Sequence, residues 1–87
     1  MFYVYVLRSK MNGSFYIGFA PKLKERLAKH NAGLVQSTKR FLPVELIYFE
    51  GYKSKQDALI REQRLKRFAK GFASLKGRLR FSLMREG

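Results

Sequence analysis

The chain of 87 residues has no cysteine and no tryptophan, a single histidine, two prolines and only six acidic residues. Each shortage removes a class of protein. Without cysteine, neither a disulfide framework nor a thiolate zinc site can reinforce a small core, so packing alone must hold the fold, as suits a reducing compartment. No apolar run approaches the ~20 residues needed to cross a bilayer. The apolar stretch from Phe2 to Leu7 meets Arg8 too soon for a signal peptide, and the expected location is the cytoplasm. A glycine-rich phosphate loop, a Ser-His-Asp set, an HExxH motif and zinc-ligand spacing are also missing. Among enzymes this leaves a metal-assisted mechanism with sparse oxygen ligands as the main option.

The scarcity of acids leaves the chain strongly basic: 19 Lys and Arg against 6 Asp and Glu give a formal net charge of +13. Repulsion on that scale opposes folding and is retained where a polyanion neutralises it, which points to DNA or RNA as partner. The basic residues are spread through every segment rather than backing the apolar stripe of one long helix, which argues against a membrane surface. A hydrophobic content of 46% suffices for a globule, and the length permits one core, so a single domain over residues 1–87 is expected.

Two runs of strand formers, Phe2 to Leu7 and Ser14 to Phe19, flank Asn12-Gly13, the strongest short hairpin signal. A two-residue turn there predicts Ser9 opposite Tyr16, with Tyr5 and Tyr16 on one face but ~13 Å apart along the strands. A longer loop would bring them closer and keep the shared face only if an even number of residues is added. Pro21 then opens a helix carrying Leu23, Leu27 and His30, closed at Asn31-Ala32-Gly33. Residues 34–43 lack periodicity and read as a loop, and Val44 to Glu50 reads as a third strand. Ser54 and Asp57 form a capping box for a second helix running to Lys70-Gly71, with Ala58, Glu62, Leu65 and Ala69 on one stripe. Phe72 to Met84 places Leu75, Leu79 and Leu83 at steps of four and predicts a third helix. The order is ββαβαα.

Few of these residues could carry chemistry. Tyr5 and Tyr16 share a strand face, where the ordinary role of a tyrosine is packing with a wet hydroxyl. Gly18, two beyond Tyr16, is expected to leave room there for a substrate backbone. Arg26 and His30 are neighbours at a spacing of four and could reach one anion together, although a histidine near a helix C-terminus also simply favours the helix dipole. Glu62 is one of few acids and sits on the core-facing stripe, where a carboxylate needs a partner or a metal ion. A plain Glu62 to Lys66 ion pair is the alternative.

Taken together the residues resemble the GIY-YIG nucleases, especially short bacterial members related to the catalytic domain of the excision-repair nicking subunit. Tyr3-Val4-Tyr5 stands where the family has GIY, and Tyr16-Ile17-Gly18 carries YIG intact. Residues 23–30 look like the family's LxxRLxxH helix, and residues 58–66 like its glutamate helix. Asn31-Ala32-Gly33, Ser37-Thr38-Lys39 and the segment Pro43 to Glu50 resemble the short subgroup further. The resemblance implies an α+β fold, a three-stranded, mainly antiparallel sheet flanked by helices. It also implies roles: Tyr16 or Tyr5 would help activate the attacking water, Arg26 would stabilise the pentacovalent phosphate, and His30 would assist proton transfer. Glu62 would hold one Mg²⁺ or Mn²⁺, and the products would be 5′-phosphate and 3′-hydroxyl ends. Three departures stand out. The glycine of GIY is Tyr3; Phe19 and Ala20 replace a lysine and a helix-capping Thr or Ser; and the asparagine beyond the glutamate helix has no counterpart, Ser74 being nearest.

The expected activity is therefore a metal-dependent endonuclease or nickase on DNA, in repair or recombination. A basic nucleic-acid-binding module without catalysis is a second reading. Docking as a subunit of a larger repair assembly is a third.

Overall fold

The computed structural model describes residues 1–67 and 69–83. Strand formers on either side of Asn12-Gly13 pair as antiparallel β1 (Phe2–Ser9) and β2 (Phe15–Ala20). Their connection is wider than a two-residue turn, because side chains in it compete for the backbone. Ser9 Oγ accepts from the N–H groups of Met11 and Asn12, at 3.1 and 3.3 Å, and Asn12 Oδ1 accepts from the Ser14 N–H at 2.9 Å. The loop closes between Ser9 and Ser14, with Gly13 at φ 76. Leu7, not Ser9, consequently faces Tyr16, and Tyr5 faces Gly18. The register moves by two residues, so the shared face survives and the two phenols are drawn together.

The third strand, β3 (Val44–Tyr52), pairs antiparallel with the other edge of β1, giving the order β2-β1-β3. It runs past Glu50, because Gly51 and Tyr52 still pair with Tyr3 and Phe2, and a bulge breaks its register between Val6 and Leu7. Central β1 is buried on both faces. Val4 and Val6 join Ile17, Ala58, Leu65 and Leu75 on one side; Tyr5 and Leu7 join Ala20 and Val44 on the other.

The first side is covered by α2 (Lys55–Arg67) and α3 (Ala69–Arg78). Half of the expected capping box is present, since Ser54 Oγ accepts from the Asp57 N–H at 3.4 Å. The helix boundaries differ from the sequence expectation: Gly71 lies inside α3 rather than ending a helix, and residue 68, between α2 and α3, lies outside the described residues. Tertiary contacts override the glycine, for Phe72 meets Phe15 edge to face at 5.4 Å and Leu75 is sealed into the core. The helix breaks at Leu79, and a last turn, α4 (Arg80–Leu83), is tied to the sheet where Arg8 Nη1 donates to the Leu83 carbonyl at 2.8 Å. Met84 lies outside the described residues. On the same side Glu50 joins β3 to α2, accepting from Tyr48 and Tyr52 at 2.6 Å and from Arg61 at 2.9 and 3.0 Å. Burial alone would raise the Glu50 carboxyl, but these three donors together hold it below its usual range.

The opposite side is covered by α1 (Leu23–Asn31), whose Leu23 and Leu27 pack toward Tyr5 and Leu7. No side chain caps its N-terminus: the cap position falls on Lys22, while Ala20, expected from the resemblance to stand in for a capping Thr or Ser, ends β2. Gly33, at φ 76, ends it as anticipated: its N–H donates to the His30 carbonyl and that of Leu34 to Lys29. Residues 34–43 are not a featureless loop. They bury Val35 and Thr38 and make a 3₁₀ turn at Lys39–Phe41, anchored where Ser9 Oγ donates to the Phe41 carbonyl at 2.7 Å.

Candidate active site

Alternation along β1 puts Tyr5 on the α1 side of the sheet, and α1 brings Arg26 and His30 over it. The Tyr5 hydroxyl lies 2.8 Å from His30 Nε2, and His30 Nδ1 lies 2.7 Å from Thr38 Oγ1. Tyr16 completes the cluster, its ring centroid 6.4 Å from that of Tyr5 and 5.1 Å from that of His30. The two-residue change in register is what turned a ~13 Å separation along the strands into neighbouring rings.

Burial divides the two phenols. Tyr5 is 1% exposed, while Tyr16 is only half-buried and faces outward from the same cluster. Gly18 does not leave a substrate channel as the sequence suggested. A Cβ there would collide with the Tyr5 ring, so the glycine exists to let that ring lie flat across β2. Burial raises the Tyr5 hydroxyl above its ordinary pKa, while Arg26 beside it pulls the other way and the charge of Glu62 adds to the rise. Tyr5 is therefore a neutral donor at pH 7.

His30 is fully buried, and burial pushes it down to about 4, with the Arg26 charge acting in the same direction. It is neutral at physiological pH and does not stand ready to touch an anion together with Arg26; it lies behind Tyr5. Arg26 has only donors to offer, so the phenol proton finds its acceptor in His30 Nε2. That places the imidazole proton on Nδ1, where it donates to Thr38 Oγ1. Thr38 is the residue that sequence reasoning passed over. Its only signal was membership of the Ser37-Thr38-Lys39 string, because nothing in a polar loop marks one hydroxyl as buried.

The phenols beside Arg26 hold its guanidinium firmly charged. Its Nε is buried and has no hydrogen-bond partner among the described residues. Glu62 comes from the far layer, on α2, yet its charge reaches Tyr5. It also makes the ordinary contact weighed from the sequence, a 3.5 Å pair with Lys66. Of the stripe to which it was assigned, Ala58 and Leu65 are buried on either side of it, and the side chain of Ala69 lies outside the described residues.

Among the described residues no three of His, Cys, Asp or Glu converge as a metal cage. A single carboxylate with water and a substrate phosphate suits Mg²⁺ or Mn²⁺, which keep several waters, and does not suit a structural zinc or an all-protein calcium site.

A three-stranded antiparallel sheet, flanked by helices and carrying this tyrosine, arginine and histidine group on one face, defines the GIY-YIG class. The model of the GIY-YIG catalytic domain family matches residues 1–71, and the chain belongs to that family. Within it, the chain is similar to UPF0213 proteins. One from Streptococcus pneumoniae serotype 4 is 46% identical over 66 residues, which cover 75% of this chain and 66% of the relative. One from Staphylococcus saprophyticus is 39% identical over 69 residues, covering 78% and 83%. The solution NMR structure of the UPF0213 protein BH0048 from Bacillus halodurans superimposes with a TM-score of 0.54 at 31% identity, over 88% of this chain and 87% of that one. The chain thus spans just under two thirds of the pneumococcal relative. Among the described residues no helix is long and apolar enough to cross a membrane.

Proposed function

We propose that this member of a nuclease family is a divalent-metal-dependent endonuclease or nickase that hydrolyses phosphodiester bonds in DNA, with a part in repair or recombination. The observation that supports it most is the convergence of Tyr5, Tyr16, His30 and a guanidinium with an unpartnered buried Nε on one face of a protein of net charge +13. The Arg26 guanidinium, held charged by the two phenols, is the group of this cluster suited to bind a phosphate oxygen.

In this reading the half-buried Tyr16 orients the attacking water and takes its proton. Arg26 stands beside it, a fixed positive charge for the negative charge that develops as the water attacks. Tyr5, bonded to His30 Nε2, holds the cluster in place, and the neutral His30 fixes the Tyr5 hydroxyl rather than taking up a proton itself. Arg26 binds the scissile phosphate and stabilises the charge that grows on it in the transition state. Glu62 would hold Mg²⁺ or Mn²⁺, which when bound stabilises the leaving oxygen.

The decisive test is cleavage of a panel of labelled DNA and RNA structures with and without Mn²⁺, comparing the natural protein with Glu62→Ala. Metal-dependent cutting of DNA that Glu62→Ala abolishes, with binding retained, is expected. The Glu62–Lys66 pair favours a second reading, a basic binding module without catalysis. Its signature would be salt-dependent binding of DNA with no cutting under any metal condition.

A further inference from the structure

Beside the site a groove of about 450 Å³ opens where α1 begins. One wall is aromatic: Tyr3 and Phe49 meet edge to face with ring centroids 6.0 Å apart. The other wall is made by Lys22, Leu23 and Lys24. A second hollow of about 230 Å³ shares Lys22 and Glu25 with the first and leads on to Arg26 and Lys29. Groove and site therefore form one continuous surface on the α1 side of the sheet.

The aromatic wall is not part of the core. Phe49 is 52% exposed, although it stands directly across from buried Tyr5 on the adjoining strand. Tyr3 occupies the motif position where the family has glycine, so a ring stands there in place of bare backbone. Gly51 is its cross-strand partner, where a Cβ would meet Met1 Cε at 2.8 Å and only touch the Tyr3 ring, at 3.4 Å. Two π faces next to a row of lysines is the combination that holds an unpaired base, stacked on the rings with its phosphates against the cations. A duplex has no free base face to offer such a wall. Glu25, the one acid along the groove, would repel phosphate and can instead accept from a base amino group. Tyr3 lies two residues from Tyr5 on the same strand, ~6.6 Å along it, so a base in the groove would sit next to the strand held at Arg26.

We propose that the groove between Tyr3, Phe49 and the start of α1 receives an unpaired base close to the scissile phosphate, so that the preferred substrate carries a single-stranded segment at the cut. The proposal rests on the nuclease reading for its partner, but its test measures binding alone. Affinity for a labelled DNA oligonucleotide, single-stranded or annealed to its complement, is measured in EDTA for the natural protein, Phe49→Leu and Tyr3→Leu. Leucine keeps the apolar bulk and removes the π face, and Phe49 is too exposed for its exchange to unfold the chain. Each variant is expected to lose about tenfold in single-strand affinity, equivalent to about 1.4 kcal/mol, with the duplex changed less than about twofold. Equal losses on both forms, or no loss on the single strand, would overturn the groove's role and leave the nuclease reading intact. Failure of the natural protein to bind either form would remove the nucleic-acid reading and this proposal with it.

Discussion

Both nitrogens of His30 are engaged, one by the Tyr5 hydroxyl and the other by Thr38, and this decides how the protein responds to acid. In the unfolded chain the imidazole titrates near 6.5; in the folded protein burial holds it down to about 4. Between those values the unfolded state binds a proton that the folded state refuses, so stability is complete above pH 6.5 and falls as the pH drops toward 4. The loss at the lower end is at most about 3 kcal/mol. Thermal unfolding followed at steps between pH 7 and pH 5 should show the decline, and a flat profile would mean that His30 is not sealed. The same scale holds the clearest kinetic prediction. Tyr16→Phe and Arg26→Ala should lower turnover by about a hundredfold while changing substrate affinity far less. Equal effects on both would assign these residues to binding alone.

At the level of elements, the hairpin shows why a glycine can be structural where it looked permissive. Gly18→Ala would drive a methyl group into a buried ring fixed by His30, and the strand cannot retreat because β1 is paired on both edges. A cost of about 1–3 kcal/mol is expected, with activity lost in parallel as Tyr5 leaves His30. Urea denaturation of the variant measures the first and cleavage the second. Much of this level was readable in advance: strand-forming runs and the αL glycine after α1 are local signals whose elements are present, whereas the one helix expected from the spacing of Leu75, Leu79 and Leu83 is divided between α3 and α4. The errors have one cause. Ser9 and Asn12 widened the hairpin by bonding to nearby N–H groups, and Phe72 and Leu75 drew Gly71 into a helix by packing on the sheet, and neither choice is made within a short window of sequence. The candidate site was legible as residue types and spacings; Thr38 was not, since its burial depends on how a loop folds against α1.

For the whole molecule, the excess of basic residues sets the scale of association. If the charge serves a nucleic-acid backbone, affinity should fall at least about a hundredfold between 50 and 200 mM salt, in proportion to the phosphates neutralised. Fluorescence anisotropy across that range is the check, and an affinity indifferent to salt would mean the charge answers to something else. The sheet meanwhile separates two tasks by side: Val4 and Val6 face α2 and α3, whereas Tyr3, Tyr5 and Leu7 face the α1 side, and both sets come from the same strand. Mutational drift in β1 is therefore constrained by parity. Inserting one residue would send the Tyr3 and Tyr5 hydroxyls into the greasy interior and the valines into the cleft, whereas inserting two would move each side chain along its own side and leave the division of labour standing.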